Sequence, residues 1–81
     1  MDSIKENINT IITEIFGAEK LQVVLASTEL QKNMDSLNFI QLLVRIERAF
    51  NIEIDENYLN LHSFKSIDDL YNYVNKLVNM N

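Results

Sequence analysis

Apolar residues at Ile4, Ile8, Ile11, Ile12, Ile15 and Phe16 recur at three- and four-residue steps, which predicts an amphipathic helix over residues 4–16. Ser3 and Glu6 have the spacing of a capping box at its start, and Gly17, the only glycine in the chain, sits where a helix-ending residue belongs. From residue 17 to residue 35 the pattern dissolves: Leu21, Val23, Val24, Leu25 and Leu30 follow no sustained period. A strand at Val23–Leu25 would lack a pairing partner elsewhere, so a long ordered loop packed on the helices is expected, with one helical turn starting at Thr28.

Helical patterning returns over residues 36–50, where Asn38, Gln41, Arg45 and Arg48 make one narrow polar stripe and every other position from Leu37 onward except Glu47 is apolar. Such a helix must be central, contacting several neighbours. At about 100° per residue, Leu37 and Val44 fall beside Gln41 and Arg48, giving a mixed strip that runs down from Ser36 and suits contact with a partner. Beyond it, "NIEIDEN" alternates too briefly for a useful strand, and "DENYLNL" predicts a short helix capped by Asp55. A last helix begins with Ser66 as N-cap and Asp69 at the capping-box position, with Ile67, Leu70, Tyr71, Val74, Leu77 and Val78 on one face. Periodicity places Ile8, Ile11, Ile15, Leu43, Ile46, Phe50, Leu70 and Val74 in the core. The expected fold is all-α, a single domain over residues 1–81: a four-helix bundle of three longer helices and a short third one, with a long loop between the first and second.

Composition narrows the chemistry. With 47% hydrophobic residues, one Gly and no Pro, 81 residues favour long helices and must use most of their apolar side chains to build one core. The absence of cysteine removes disulfides, thiolate metal sites and a thiol nucleophile. A net charge of −5 with scattered Lys and Arg speaks against nucleic acid, and between Glu47 and Asp69 six acids face only Arg48 and Lys65. The start "MDSIKENINT" has no signal-peptide character and no run reaches membrane-spanning length, so a soluble cytoplasmic protein is expected. No phosphate loop, catalytic constellation or metal-ligand spacing occurs, and His62 lies in a polar connection as a solvated surface residue. The chain is not expected to be an enzyme. What remains is Ser36, which by position alone is either a helix cap or a chemical handle.

"DSLNFIQLLVRIERAFNIEI", Asp35 to Ile54, resembles the acyl and peptidyl carrier proteins, whose signature is an Asp-Ser-Leu triplet opening the second helix; "FKSIDDLYNYV", Phe64 to Val74, is similar to the start of their last helix. The resemblance implies that Ser36, flanked by Asp35 and Leu37, carries 4′-phosphopantetheine, transferred from coenzyme A by a separate Mg²⁺-dependent phosphopantetheinyl transferase. It supplies the thiol that the chain lacks. It also implies that Leu37, Gln41, Val44, Glu47 and Arg48 dock partner enzymes: a loading ligase or transferase and downstream synthases of fatty acid or polyketide type, served by a monomeric, stand-alone acyl carrier.

Some positions depart from the family pattern. Gln41 is neutral and Arg48 positive where fatty-acid carriers are commonly acidic, which weakens steering toward a basic patch. Lys32 stands where the family has an apolar residue and Asn33 where it commonly has glycine, the latter a mild change because Asn tolerates the left-handed conformation. These departures leave open a peptidyl or aminoacyl cargo, D-alanyl included. From another class, a helical adaptor that uses Ser36 only as a cap is the competing reading.

Overall fold

Gly17 alone separates the first two helices of the computed structural model, which describes residues 2–80. Helix α1 spans Asp2–Phe16 and α2 spans Ala18–Ala26. The Gly17 N–H donates to the Thr13 carbonyl at 2.8 Å and completes α1, while its own carbonyl accepts from Leu21 at 3.2 Å and opens α2. With φ 94° and ψ 160°, Gly17 occupies backbone space that is essentially closed to side-chain-bearing residues. A Cβ there would meet no neighbouring atom, so the restriction is conformational alone. Gly17→Ala is expected to cost about 1–3 kcal/mol, read as a lower midpoint in thermal unfolding followed by circular dichroism.

The long loop expected over 17–35 is therefore corrected: its first half is helical. "AEKLQVVLA" is rich in strong helix formers, and Glu19 lies in its first turn, where the dipole favours an acid. Two turns bury only Val24 fully and Leu21 in part, too narrow a stripe for periodicity to reveal. The remaining loop contains a 3₁₀ turn at Leu30–Lys32, close to the turn expected from Thr28. At the other end, α1 is already helical at Asp2, so Ser3 lies inside the first turn and not at the N-cap.

The central helix α3 covers Ser36–Phe50, as its periodicity predicts, and ends on Asn51, which adopts the left-handed conformation at φ 54° and ψ 49°. The short third helix is also corrected. Asp55 does cap, accepting from the Asn57 amide at 2.8 Å, but two separate 3₁₀ turns follow, Glu56–Tyr58 and Leu61–Ser63. The Asn57 carbonyl, which a continuing helix would use, instead accepts from the Asn60 side chain and the Ser63 hydroxyl, each at 3.1 Å. Local side chains win the competition for the backbone. Helix α4 runs Ile67–Met80, and Asp69 accepts from the Ser66 amide at 3.3 Å in the expected capping position. Among the described residues there is no strand, and the fold is an all-α bundle in which the fourth helix is α2 and not a third helix near residue 57.

Helix α1 packs against α2, α3 and α4. Ile8, Ile11, Leu43, Ile46, Leu70 and Val74 are buried as expected, but Ile15 and Phe50 are only half-buried. Both lie in the last turn of their helices, where direction toward the core no longer brings depth. Tyr71 on α4 is buried and donates to Asn9 on α1, and burial pushes its phenol above the usual range. Lys5 lies over the same ring at 5.6 Å from its centroid.

Candidate functional site

The approach to Ser36 is held by a short internal network. Ser27 Oγ accepts from the Glu29 amide at 3.1 Å and from Asn33 Nδ2 at 2.7 Å, tying both ends of the 27–33 turn. Asn33 has φ −121°, so it is not left-handed, and its side-chain amide makes this tie. The Leu30 amide donates to the Lys65 carbonyl at 2.8 Å, joining the turn to the chain before α4. Leu30 and Met34 are buried and plug the loop from below, whereas Lys32 points to solvent and pairs with Glu29 at 3.4 Å. The apolar plug that Lys32 does not supply comes from its neighbours on either side.

At the helix mouth the cap is Asp35: its carboxylate accepts from the Asn38 amide at 2.8 Å, and its carbonyl accepts the first intrahelical bond, from Phe39, at 3.0 Å. Ser36 is the first residue of α3, is exposed, and is not needed as the cap. Asp35→Ala is expected to lower stability by about 1 kcal/mol while Asp35→Asn retains most of it, because Asn caps as well as Asp does; urea titrations of both variants measure this.

A primary hydroxyl at this point suits a phosphodiester. The amides of Ser36 and Leu37 precede the first intrahelical bond, so their N–H groups and the helix dipole favour an anion beside the Ser36 side chain. The Ser36 side chain is open to solvent, and the Asp35 carboxylate is held on Asn38.

Below Ser36, α3 presents the strip expected from its wheel. Leu37 is 67% exposed, Gln41 and Arg48 are exposed, and Val44 is half-buried. Glu47 is drawn away from the others: half-buried, it accepts from the Ile54 amide at 2.8 Å and so fixes the chain after Asn51. Sequence reasoning missed Ile40, assigned to the apolar arc but 38% exposed, because α1 leaves it uncovered. Ile40, Val44 and Ile15 line an open groove of about 440 Å³ between α3 and α1, bordered by Gln41 and Arg45. Among the described residues no cluster of His, Cys, Asp or Glu could hold a metal ion, and no helix is long and apolar enough to cross a membrane.

The family model described as phosphopantetheine attachment site matches residues 8–74. The acyl carrier protein of Streptococcus pneumoniae serotype 4 is 35% identical over 69 residues, covering 85% of this chain and 88% of that protein. That of Buchnera aphidicola subsp. Baizongia pistaciae is 36% identical over 72 residues, covering 86% and 92% respectively. That of Borrelia garinii subsp. bavariensis is 30% identical over 76 residues, covering 93% and 92%. No solved structure gives a significant match. Matched over most of its length by the family model and by relatives almost from end to end, the chain belongs to the phosphopantetheine-attachment family of acyl and peptidyl carrier proteins, whose prosthetic group is covalently attached 4′-phosphopantetheine.

Proposed function

We propose that the chain is a single-domain, stand-alone, monomeric acyl carrier protein of the cytoplasm, with Ser36 as its attachment residue. The observation that carries this reading is the division of labour at the mouth of α3: Asp35 caps, and the adjacent Ser36 hydroxyl stays exposed. In the attachment step Ser36 Oγ forms a bond to phosphorus at the pyrophosphate of coenzyme A, the nucleotide half leaves with the bridging oxygen, and the hydroxyl proton goes to a base of the transferase. The attached arm supplies a thiol on which acyl groups ride as thioesters between enzymes of fatty acid or polyketide type synthesis. The chain's own residues do the positioning: the 27–34 turn fixes the approach, Asp35 fixes the helix start, and the Leu37–Arg48 strip meets the enzymes. Catalysis belongs to those partners.

Incubation with coenzyme A, Mg²⁺ and a broad-specificity phosphopantetheinyl transferase is expected to add one prosthetic group, seen by intact mass and mapped by peptide sequencing to Ser36. No addition by a transferase shown to be active on another carrier would sink the proposal and favour the helical adaptor.

A further inference from the structure

The charges along the exposed side of α3 are not equally available. Glu47, its only acid, is half-buried and spent on the Ile54 amide. Arg45 is paired with Glu14 of α1, Nη2 to Oε1, at 2.7 Å. Arg48 is exposed and forms no salt bridge among the described residues. Between Ser36 and Arg48 lie an exposed Leu37, the neutral Gln41 and the Ile15–Ile40–Val44 groove. Asp35 at its start is held on the Asn38 amide, and Glu53, Asp55 and Glu56 sit beyond its C-terminal end, Asp55 holding the Asn57 amide, and line a different groove with Tyr58 and Tyr73. The helix that carries the proposed attachment residue thus offers apolar contact and one unpartnered positive charge, although the protein as a whole carries −5.

From this we infer that the α3–α1 face receives a partner segment with an apolar side chain for the Ile15–Ile40–Val44 groove and a carboxylate facing Arg48. The occupant is argued from charge complementarity. A basic segment would meet the exposed Arg48, while Glu47 is turned toward the Ile54 amide and Glu14 toward Arg45, whereas a carboxylate would form a charge-assisted contact with Arg48, one turn along α3 from Val44 of the groove. The Glu14–Arg45 pair borders the groove and keeps its wall close to neutral, so the discrimination falls on Arg48. Specificity then works by repulsion as well as attraction: basic partners are disfavoured on this face, and the acidic groove at Glu53–Glu56 is left to meet them elsewhere. The assignment of this face to partner enzymes rests on the carrier reading proposed above.

The test uses two lactam-stapled helical peptides of fourteen residues, identical except that the residues one turn either side of a central Leu are Glu in one and Lys in the other. Each is titrated into ¹⁵N-labelled protein carrying the prosthetic group. The Glu peptide is expected to bind at least about fivefold more tightly at low salt, a difference worth about 1 kcal/mol. Amide shifts should centre on Ile15, Ile40, Val44 and Arg48, and Arg48→Glu should reverse the preference while Arg48→Lys preserves it. Equal affinity for both peptides, a preference for Lys by the unaltered chain, shifts centred on Tyr58 and Tyr73, or no binding by either peptide at millimolar concentration would each overturn the inference. If the chain takes up no prosthetic group, the carrier reading fails on that result alone, and the peptide preference is still measured on the unloaded chain.

Discussion

Ser36→Ala is expected to accept no phosphopantetheine under conditions that load the unaltered chain to completion, and to fold as stably as that chain to within about 0.5 kcal/mol. Both halves follow from the same geometry. The Ser36 side chain is exposed and makes no hydrogen bond among the described residues, so removing its hydroxyl strands no partner. Removing it does delete the hydroxyl proposed to form the phosphoester. Asp35→Ala is expected to do the reverse: it loses the bond to the Asn38 amide and about 1 kcal/mol of stability, yet keeps the Ser36 hydroxyl and therefore some loading. Measured together by intact mass and urea titration, the two variants separate the cap from the handle. A Ser36→Ala protein that still gains the group at another residue would move the site; one that unfolds would return Ser36 to a capping role.

How far the sequence could reach is seen most clearly at this helix. The strong period of "DSLNFIQLLVRIERAF" states direction, and α3 appears with the expected bounds because nine apolar residues in fifteen leave one possible solvent stripe. Depth is not stated by direction. Ile15 and Phe50 pack against the core and remain half-buried because their helices end there, and Ile40, which the period assigns to the apolar arc, lies open in the groove it shares with Ile15 of α1. Helix α2 was illegible for a different reason: two turns bury too little for a period, and its existence rests on propensity together with one glycine placed at φ 94°. The competition that splits the 56–63 segment into two turns is written in its Asn and Ser residues, but which side chain takes which carbonyl is set by the folded backbone. The role of Glu47 was equally hidden, since a charged residue on the border of a helix can face a partner or its own chain, and here it faces Ile54.

The largest loss of stability is expected from Phe39→Ala. Phe39 is fully buried one turn below Ser36, with its ring 5.6 Å from that of Phe64 at an interplanar angle of 55°. Truncating such a side chain costs about 3–5 kcal/mol, the lost transfer energy plus the cavity left behind. A domain of 81 residues has about 4–12 kcal/mol in all, so the variant should lose tens of degrees in its unfolding midpoint, at about 4–8 °C per kcal/mol. The damage should also travel along a definite route. Phe64 lies next to Lys65, whose carbonyl holds the Leu30 amide, and Leu30 with Met34 supports the turn that delivers Asp35 and Ser36 to the helix mouth. Hydrogen exchange at the Leu30 amide is therefore expected to accelerate in Phe39→Ala by more than exchange at Ile8, and loading of Ser36 to slow at temperatures where the variant is still mostly folded. Equal acceleration at both amides would mean that Phe39 supports the bundle as a whole, and that the approach to Ser36 is held by the Ser27–Asn33 network without help from the aromatic pair.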